Sequence, residues 1–267
     1  MPEKYKLGCN WSPALRNLIL SNSINIDYIK AGEQSNFNEL INIIRSLRPV
    51  LLHGGIGFSL RTGMANLNKV DFTHLNRLIK RCDSPQYGIH IALTQNENHG
   101  MYTEEEIFLK MSSVINEFKG LLSVPLLIEN TPDCSVDRRF YKFVPYVFPD
   151  QINKLLHDND VSLLLDITHA KITARFRGWD VYGYINSLLL NRVREIHING
   201  CGVEKKDVLM DSHQAMEDED FALLDWVLSR TNPQIISLEY SGHKNEDESI
   251  IASHIQRFFD FMISRNL

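Results

Sequence analysis

Short apolar runs alternate with longer segments of helical period along the chain. The apolar runs are Lys6–Asn10, Ile26–Ala31, Val50–Gly54, Tyr87–Ala92, Pro125–Glu129, Ser162–Asp166, Arg194–Asn199 and Ile235–Tyr240, eight in all. Several are β-rich and apolar on both faces, as strands of a fully covered parallel sheet are. The segments between them carry helix signals. Ser12-Pro13 offers an N-cap followed by proline at the first helical position. Phe37, Leu40, Ile41, Ile44 and Leu47 share one stripe. Thr103 and Glu106 form a capping box ahead of Ile107, Met111, Val114, Ile115 and Phe118. Phe221, Leu224, Val227 and Leu228 make another stripe, and Ile250, Ile251, Ile255, Phe258, Phe259 and Met262 the last. Eight strand–helix pairs predict an α/β chain folded as a (β/α)8 TIM barrel. The alternative, an open doubly wound sheet, usually carries a Gly-rich phosphate turn after its first strand, and LGCNWSP is not one. No linker or composition shift divides the 267 residues, so one barrel domain over 1–267 is expected.

Barrels of this kind build their active sites at the C-terminal ends of the strands. There the chain places His53 (LLHGG), His90 (YGIHIAL), Glu129 (PLLIENT), Asp166 and His169 (SLLLDITHA), His197 (REIHING) and Glu239 (IISLEY). The loop LMDSHQA, after the seventh strand, adds Asp211 and His213. A lone histidine at a strand end is more often a hydrogen-bonded structural residue, and a lone carboxylate often caps a helix. Five histidines and four carboxylates converging on one mouth are different, because buried charge is costly unless paired or metal-bound. Imidazole mixed with carboxylate and no thiolate suits iron, zinc or manganese. Nine donors are too many for one ion and serve two or three, bridged by carboxylates and about 3.5–4 Å apart. Glu129 and Glu239, from opposite sides of the barrel, are the natural bridges.

Around this set, Asn10 ends the first strand and Glu33 follows the second. Both point toward the mouth, on the substrate side or behind metal-bound imidazoles. The segment after the fourth strand contains His99, for which a solvated loop residue is the simpler reading. The segment after the fifth carries Asp137, Arg138 and Arg139 and the aromatics Phe140, Tyr141, Phe143, Tyr146 and Phe148, which suit packing beneath a loop better than gripping a peptide. A loop after the sixth strand holds Lys171, Arg175 and Arg177 beside Trp179. Its guanidinium forks suit a substrate carboxylate or phosphate, and equally a solvated basic face.

Composition narrows the partners. The net charge of -5 argues against a nucleic-acid clamp, although a local basic patch is compatible with it. No apolar run suits a signal peptide or a membrane span. Cys9, Cys82, Cys134 and Cys201 are widely spaced with no CxxC pair, as in reduced thiols of a cytoplasmic protein.

The ligand order, including Asp166-x-x-His169 and Asp211-x-His213, resembles the trinuclear site of endonuclease IV, within the xylose-isomerase-like barrel superfamily. The flanking sequence resembles more closely the multinuclear non-haem iron-dependent oxidases. His53-Gly-Gly-Ile-Gly-Phe-Ser-Leu is similar to their HGVGLS signature, and Val193-Arg-Glu-Ile-His-Ile-Asn-Gly to their VxEIHLAG strand. Asp211-Ser-His213, followed by Phe221 to Leu228, is similar to their DTH loop and helix. The resemblance implies two or three irons that use dioxygen to modify cysteine in a ribosomally made peptide or a related thiol, often with a separate peptide-holding partner protein. It carries over His53, His90, Glu129, Asp166, His197, Asp211, His213 and Glu239 as iron ligands. Thr168-His169 departs from the Asn-Asn common in that family and matches the endonuclease-like choice. A metal-dependent phosphodiesterase and a sugar isomerase or epimerase therefore stand as alternatives, and a non-enzymatic binding module fits the donor set least.

Overall fold

Parallel strands cannot be joined by tight turns, so each apolar run pairs with the next only after a helical crossover has carried the chain back. The computed structural model describes residues 5–31, 37–54, 70–92, 103–139, 146–204 and 208–265. Eight strands run parallel: β1 (Lys6–Asn10), β2 (Tyr28–Ala31), β3 (Val50–His53), β4 (Tyr87–His90), β5 (Leu126–Glu129), β6 (Ser162–Asp166), β7 (Val193–Ile198) and β10 (Ile235–Leu238). They close in the order β1-β10-β7-β6-β5-β4-β3-β2, the expected barrel.

Among the described residues the helices are α1 (Pro13–Leu20), α2 (Phe37–Leu47), α3 (Phe72–Cys82), α4 (Glu104–Leu121), α5 (Pro149–Asp158), α6 (Ile167–Arg177), α7 (Val181–Asn186), α8 (Asp218–Leu228) and α9 (Glu248–Arg265). Their starts follow the local signals. Ser12 Oγ accepts from the Leu15 amide at 3.1 Å, and the Thr103–Glu106 capping box is complete. Their stripes bury Ile41, Ile44, Met111, Ile115, Phe118, Leu224, Val227, Ile255, Phe258 and Phe259 against the strands. Ile250, counted into the last stripe, is instead 49% exposed in the first turn of α9. Among the described residues no helix is long and apolar enough to cross a membrane.

Two segments differ from the expectation. The chain after β7 forms an antiparallel hairpin, β8 (Gly200–Glu204) and β9 (Val208–Gln214), outside the barrel sheet, so Asp211 and His213 stand on a strand and not in a loop. Gly200 is required there, since a Cβ on it would run into the backbone of Ala215, and a Cβ on Gly202 would press on the Ser212 hydroxyl. No loop follows β6. Asp166 caps α6 directly by accepting from the His169 amide at 2.6 Å, so the helix begins at Ile167.

Register decides which side chains become neighbours, since partners on adjacent parallel strands face the same side of the sheet. It sets His90 beside Glu129 and Asp166 beside His197. Gly88 on β4 leaves the room that the His53 ring fills; a Cβ there would lie 2.7 Å from His53 Cδ2 and 2.8 Å from Leu164 Cδ1. Gly88→Ala should therefore lose about 1–3 kcal/mol by overpacking while keeping its far-UV circular dichroism. Unchanged stability in urea titration would show that the His53 ring is not fixed by this contact.

Candidate metal centre

Glu129, at the end of β5, is fully buried and ringed by imidazoles. Its Oε2 lies 2.5 Å from His53 Nε2 and 3.2 Å from His90 Nε2. Its Oε1 lies 3.2 Å from His197 Nδ1 and 3.7 Å from His169 Nδ1. Among the described residues, three groups of side chains each converge closely enough to share one ion: His53, Glu129 and His197; His90, Glu129 and His169; and Glu129, Asp166, His197 and Glu239. Glu129 belongs to all three. A carboxylate in that position can bridge.

Asp166 spends one oxygen on the α6 cap, and its buried Oδ2 has no hydrogen-bond partner among the described residues. An orphaned carboxylate oxygen facing other donors is what a bound cation would satisfy. The donors present fit such a group. Asp211 extends the set, with Oδ2 3.2 Å from His169 Nε2 and 3.3 Å from His213 Nε2. Asn199 Nδ2 donates to the other oxygen of Asp211 at 3.0 Å and fixes its plane. His213 adopts a left-handed backbone (φ 49°), an uncommon conformation for a non-glycine residue, and this turns its ring to Asp211.

Three residues that sequence reasoning passed over complete the centre. Lys30, on β2, is buried, pairs with Glu239 Oε1 and lies 3.1 Å from both ring nitrogens of His197. Glu195 Oε1 lies 3.0 Å from His197 Nε2, leaving Nδ1 directed at Glu129. Gln86 donates to the other oxygen of Glu195 at 2.5 Å and accepts from Arg194 Nε at 2.8 Å. Such a chain fixes which imidazole nitrogen faces the donors. A signal existed: Lys30 and Glu195 are charged residues inside apolar strands, and Glu195 shares the strand face of His197 two residues on. Asn130 holds Asp166 in place, accepting from its amide at 2.9 Å and donating to its carbonyl at 2.8 Å.

The proposed substrate contacts fare differently. Asn10 is half-buried at the end of β1. Glu33 and His99 lie outside the described residues, as do Phe140, Tyr141 and Phe143. Arg175 and Arg177 sit in the last turn of α6, about 14–17 Å along the helix from Asp166 at 1.5 Å per residue. Arg175 is exposed, and Arg177 donates to the buried Asp133 at 2.5 Å beside Phe148 and Trp179. Lys171 is tied to Glu219 and Asp220. The immediate start of α6 takes these cations away from the donor cluster.

Burial decides the protonation of the outer imidazoles. It holds His53 well below the ordinary histidine value and His90 at about 4. Burial also opposes charge at His169, but Asp166 and Asp211 outweigh it and raise this histidine to about 10. Asp166 itself is pushed up to about 6, chiefly by burial. Burial opposes charge on Glu129 and Asp211 too, yet the histidines around them keep both carboxyls well below the usual range. A metal ligand must be a neutral imidazole. Ion binding at pH 7 should therefore expel a proton from His169, and affinity should rise with pH up to about 10. Calorimetric titration with zinc in buffers of different ionisation enthalpy reads the proton count. A count of zero at pH 7 would remove His169 from the ligand set.

Residues 7–256 match the family described as RiPP precursor modification enzyme MbnB/TglH/ChrH. A UPF0276 protein of Caulobacter vibrioides is 28% identical over 209 residues, which are 75% of this chain and 71% of that protein. A UPF0276 protein of Acaryochloris marina is 29% identical over 179 residues, 64% of this chain and 61% of that protein. Among solved structures, the IolI protein with a binding zinc atom superimposes with a TM-score of 0.68 at 12% identity, covering 98% of this chain and 99% of that one. A xylose isomerase domain protein from Alicyclobacillus acidocaldarius gives 0.63 at 13% identity, with coverage of 98% and 99%. At such identities the structural likeness is one of fold. The sequence match spans nearly the whole barrel and every donor of the centre, and by it the chain belongs to the MbnB/TglH/ChrH family of RiPP precursor modification enzymes, the multinuclear non-haem iron-dependent oxidases that its strand-end motifs resemble.

Proposed function

We propose that this chain is an iron-dependent oxidase that modifies cysteine in a ribosomally made peptide, and that a separate protein presents the peptide to it. The observation that carries the reading is the convergence of imidazoles and carboxylates on Glu129 in a chain matched to that family over residues 7–256. The donor set contains no thiolate, which suits iron as well as zinc or manganese, and the family resemblance favours iron. Bound iron would supply redox chemistry with dioxygen and a place for the substrate thiolate.

The protein's own residues do the rest. Glu129 would hold the ions together with the imidazoles around it, His53 and His90 beside one of its oxygens and His197 and His169 beside the other. Glu195 and Asn130 hold the His197 and His169 rings in orientation. Burial pushes the Cys201 thiol beside the centre up to about 12, so without a bound ion it stays protonated at neutral pH. Glu129→Ala should cost more than one equivalent of iron by elemental analysis, because a bridging carboxylate serves two ions; loss of one or none would assign the bridge elsewhere.

The His169–Asp211–His213 cluster favours a second reading, a phosphodiesterase in which the ions generate hydroxide. The net charge of -5 weighs against a nucleic-acid substrate. Oxygen uptake separates the two. The reduced iron form should consume dioxygen when given a Cys-containing peptide, and zinc loading should abolish this. Zinc-supported, oxygen-independent cleavage of abasic-site DNA, with no oxygen uptake by the iron form, would overturn the oxidase reading.

A further inference from the structure

Lys30 brings an ammonium into the centre from a side chain that cannot itself serve as a metal ligand while it is charged. Its side chain is 6% exposed, and it issues from the middle of the barrel wall on β2. It forms an ion pair with Glu239 Oε1 and stands 3.1 Å from His197 Nδ1 and Nε2. Glu239 and His197 both belong to the four-residue donor group with Glu129 and Asp166. The ammonium therefore occupies a corner that two of those ligands would otherwise offer to an ion.

We propose that Lys30 is a built-in cation of the centre, and that with it in place the chain holds two metal ions and not three. The proposal rests on the metal-centre reading above and specifies its nuclearity. Charge supports it. Glu129, Asp166, Glu195 and Glu239 are buried, and Asp211, with its side chain 19% exposed, is nearly so. With ligating imidazoles neutral, these five carboxylates are balanced by one ammonium and two divalent ions. A third divalent ion would leave two uncompensated positive charges in the barrel, where unbalanced charge is poorly tolerated. Geometry agrees. Lys30 engages one oxygen of Glu239, whose other oxygen lies 3.9 Å from His213 Nε2 on the hairpin side. Glu239 is thus left to serve a single ion, and Glu129 alone bridges.

The test is stoichiometry, measured without reference to catalysis. Unaltered protein, titrated anaerobically with iron(II) and separately with zinc, should saturate at two equivalents by calorimetry and by elemental analysis after gel filtration. Lys30→Met removes the charge while keeping a long apolar stem, and should gain one equivalent. Lys30→Arg should stay at two. Three equivalents in the unaltered protein overturns the proposal even if Lys30→Met does not fold. A methionine variant that folds and binds two or fewer also overturns it. Uptake of no metal by the unaltered protein would instead sink the metal-centre reading as a whole, and the oxygen-uptake assay tests the chemistry independently of either count.

Discussion

Carboxylates inside a barrel are stable only where each oxygen meets a hydrogen-bond donor or a cation, because removing ionised groups from water costs several kcal/mol apiece, on the order of more than a hydrogen bond returns. Glu129 carries the heaviest share of that constraint. Each of its oxygens faces two imidazoles, and the two flanking strands, β4 and β6, supply His90 and the Asp166–His169 turn to reach it. The surrounding network answers the same need. Glu195 and Gln86 anchor His197 from beneath, Lys30 neutralises Glu239, and Asn199 holds Asp211. Where the network stops, Asp166 Oδ2 is left without a hydrogen bond among the described residues, with His169 Nε2 3.7 Å away, as a donor free to meet a cation.

The architecture lets local stability and the centre use the same atoms. Asp166 is both the last residue of β6 and the N-cap of α6, so one oxygen starts a helix while the other joins the donors. This economy moves the basic residues of α6 away from the mouth. Arg177 and Arg138 instead bind Asp133, which is fully buried, and fasten the segment after β5 to the helix. The β8–β9 hairpin contributes the remaining donors from outside the barrel sheet, so the centre is assembled from the strand ends together with an added ribbon.

A shared barrel does not decide chemistry. The zinc-binding IolI protein and the xylose isomerase domain protein have closely similar folds at 12–13% identity, and what distinguishes one such barrel from another is the set of side chains at its strand ends. Here that set is rich in histidine, gathers on one carboxylate and lies within the region matched to the peptide-modifying family.

The sequence by itself determined the barrel. Its apolar runs and capped helices repeat with a period that only covered parallel strands satisfy, and these signals are local, carried by Ser12, Thr103 and the buried stripes. It also identified the strand-end donors, because charge at the end of an apolar run is conspicuous. Tertiary structure decided how those donors group. Register set His90 beside Glu129, barrel closure brought Lys30 of β2 to Glu239 after β10, and the hairpin turned Asp211 toward His169. Lys30 and Glu239 are 209 residues apart in sequence, and no local pattern links them. The charge of a buried lysine was visible in the chain, but its partner was fixed only when the eight strands closed.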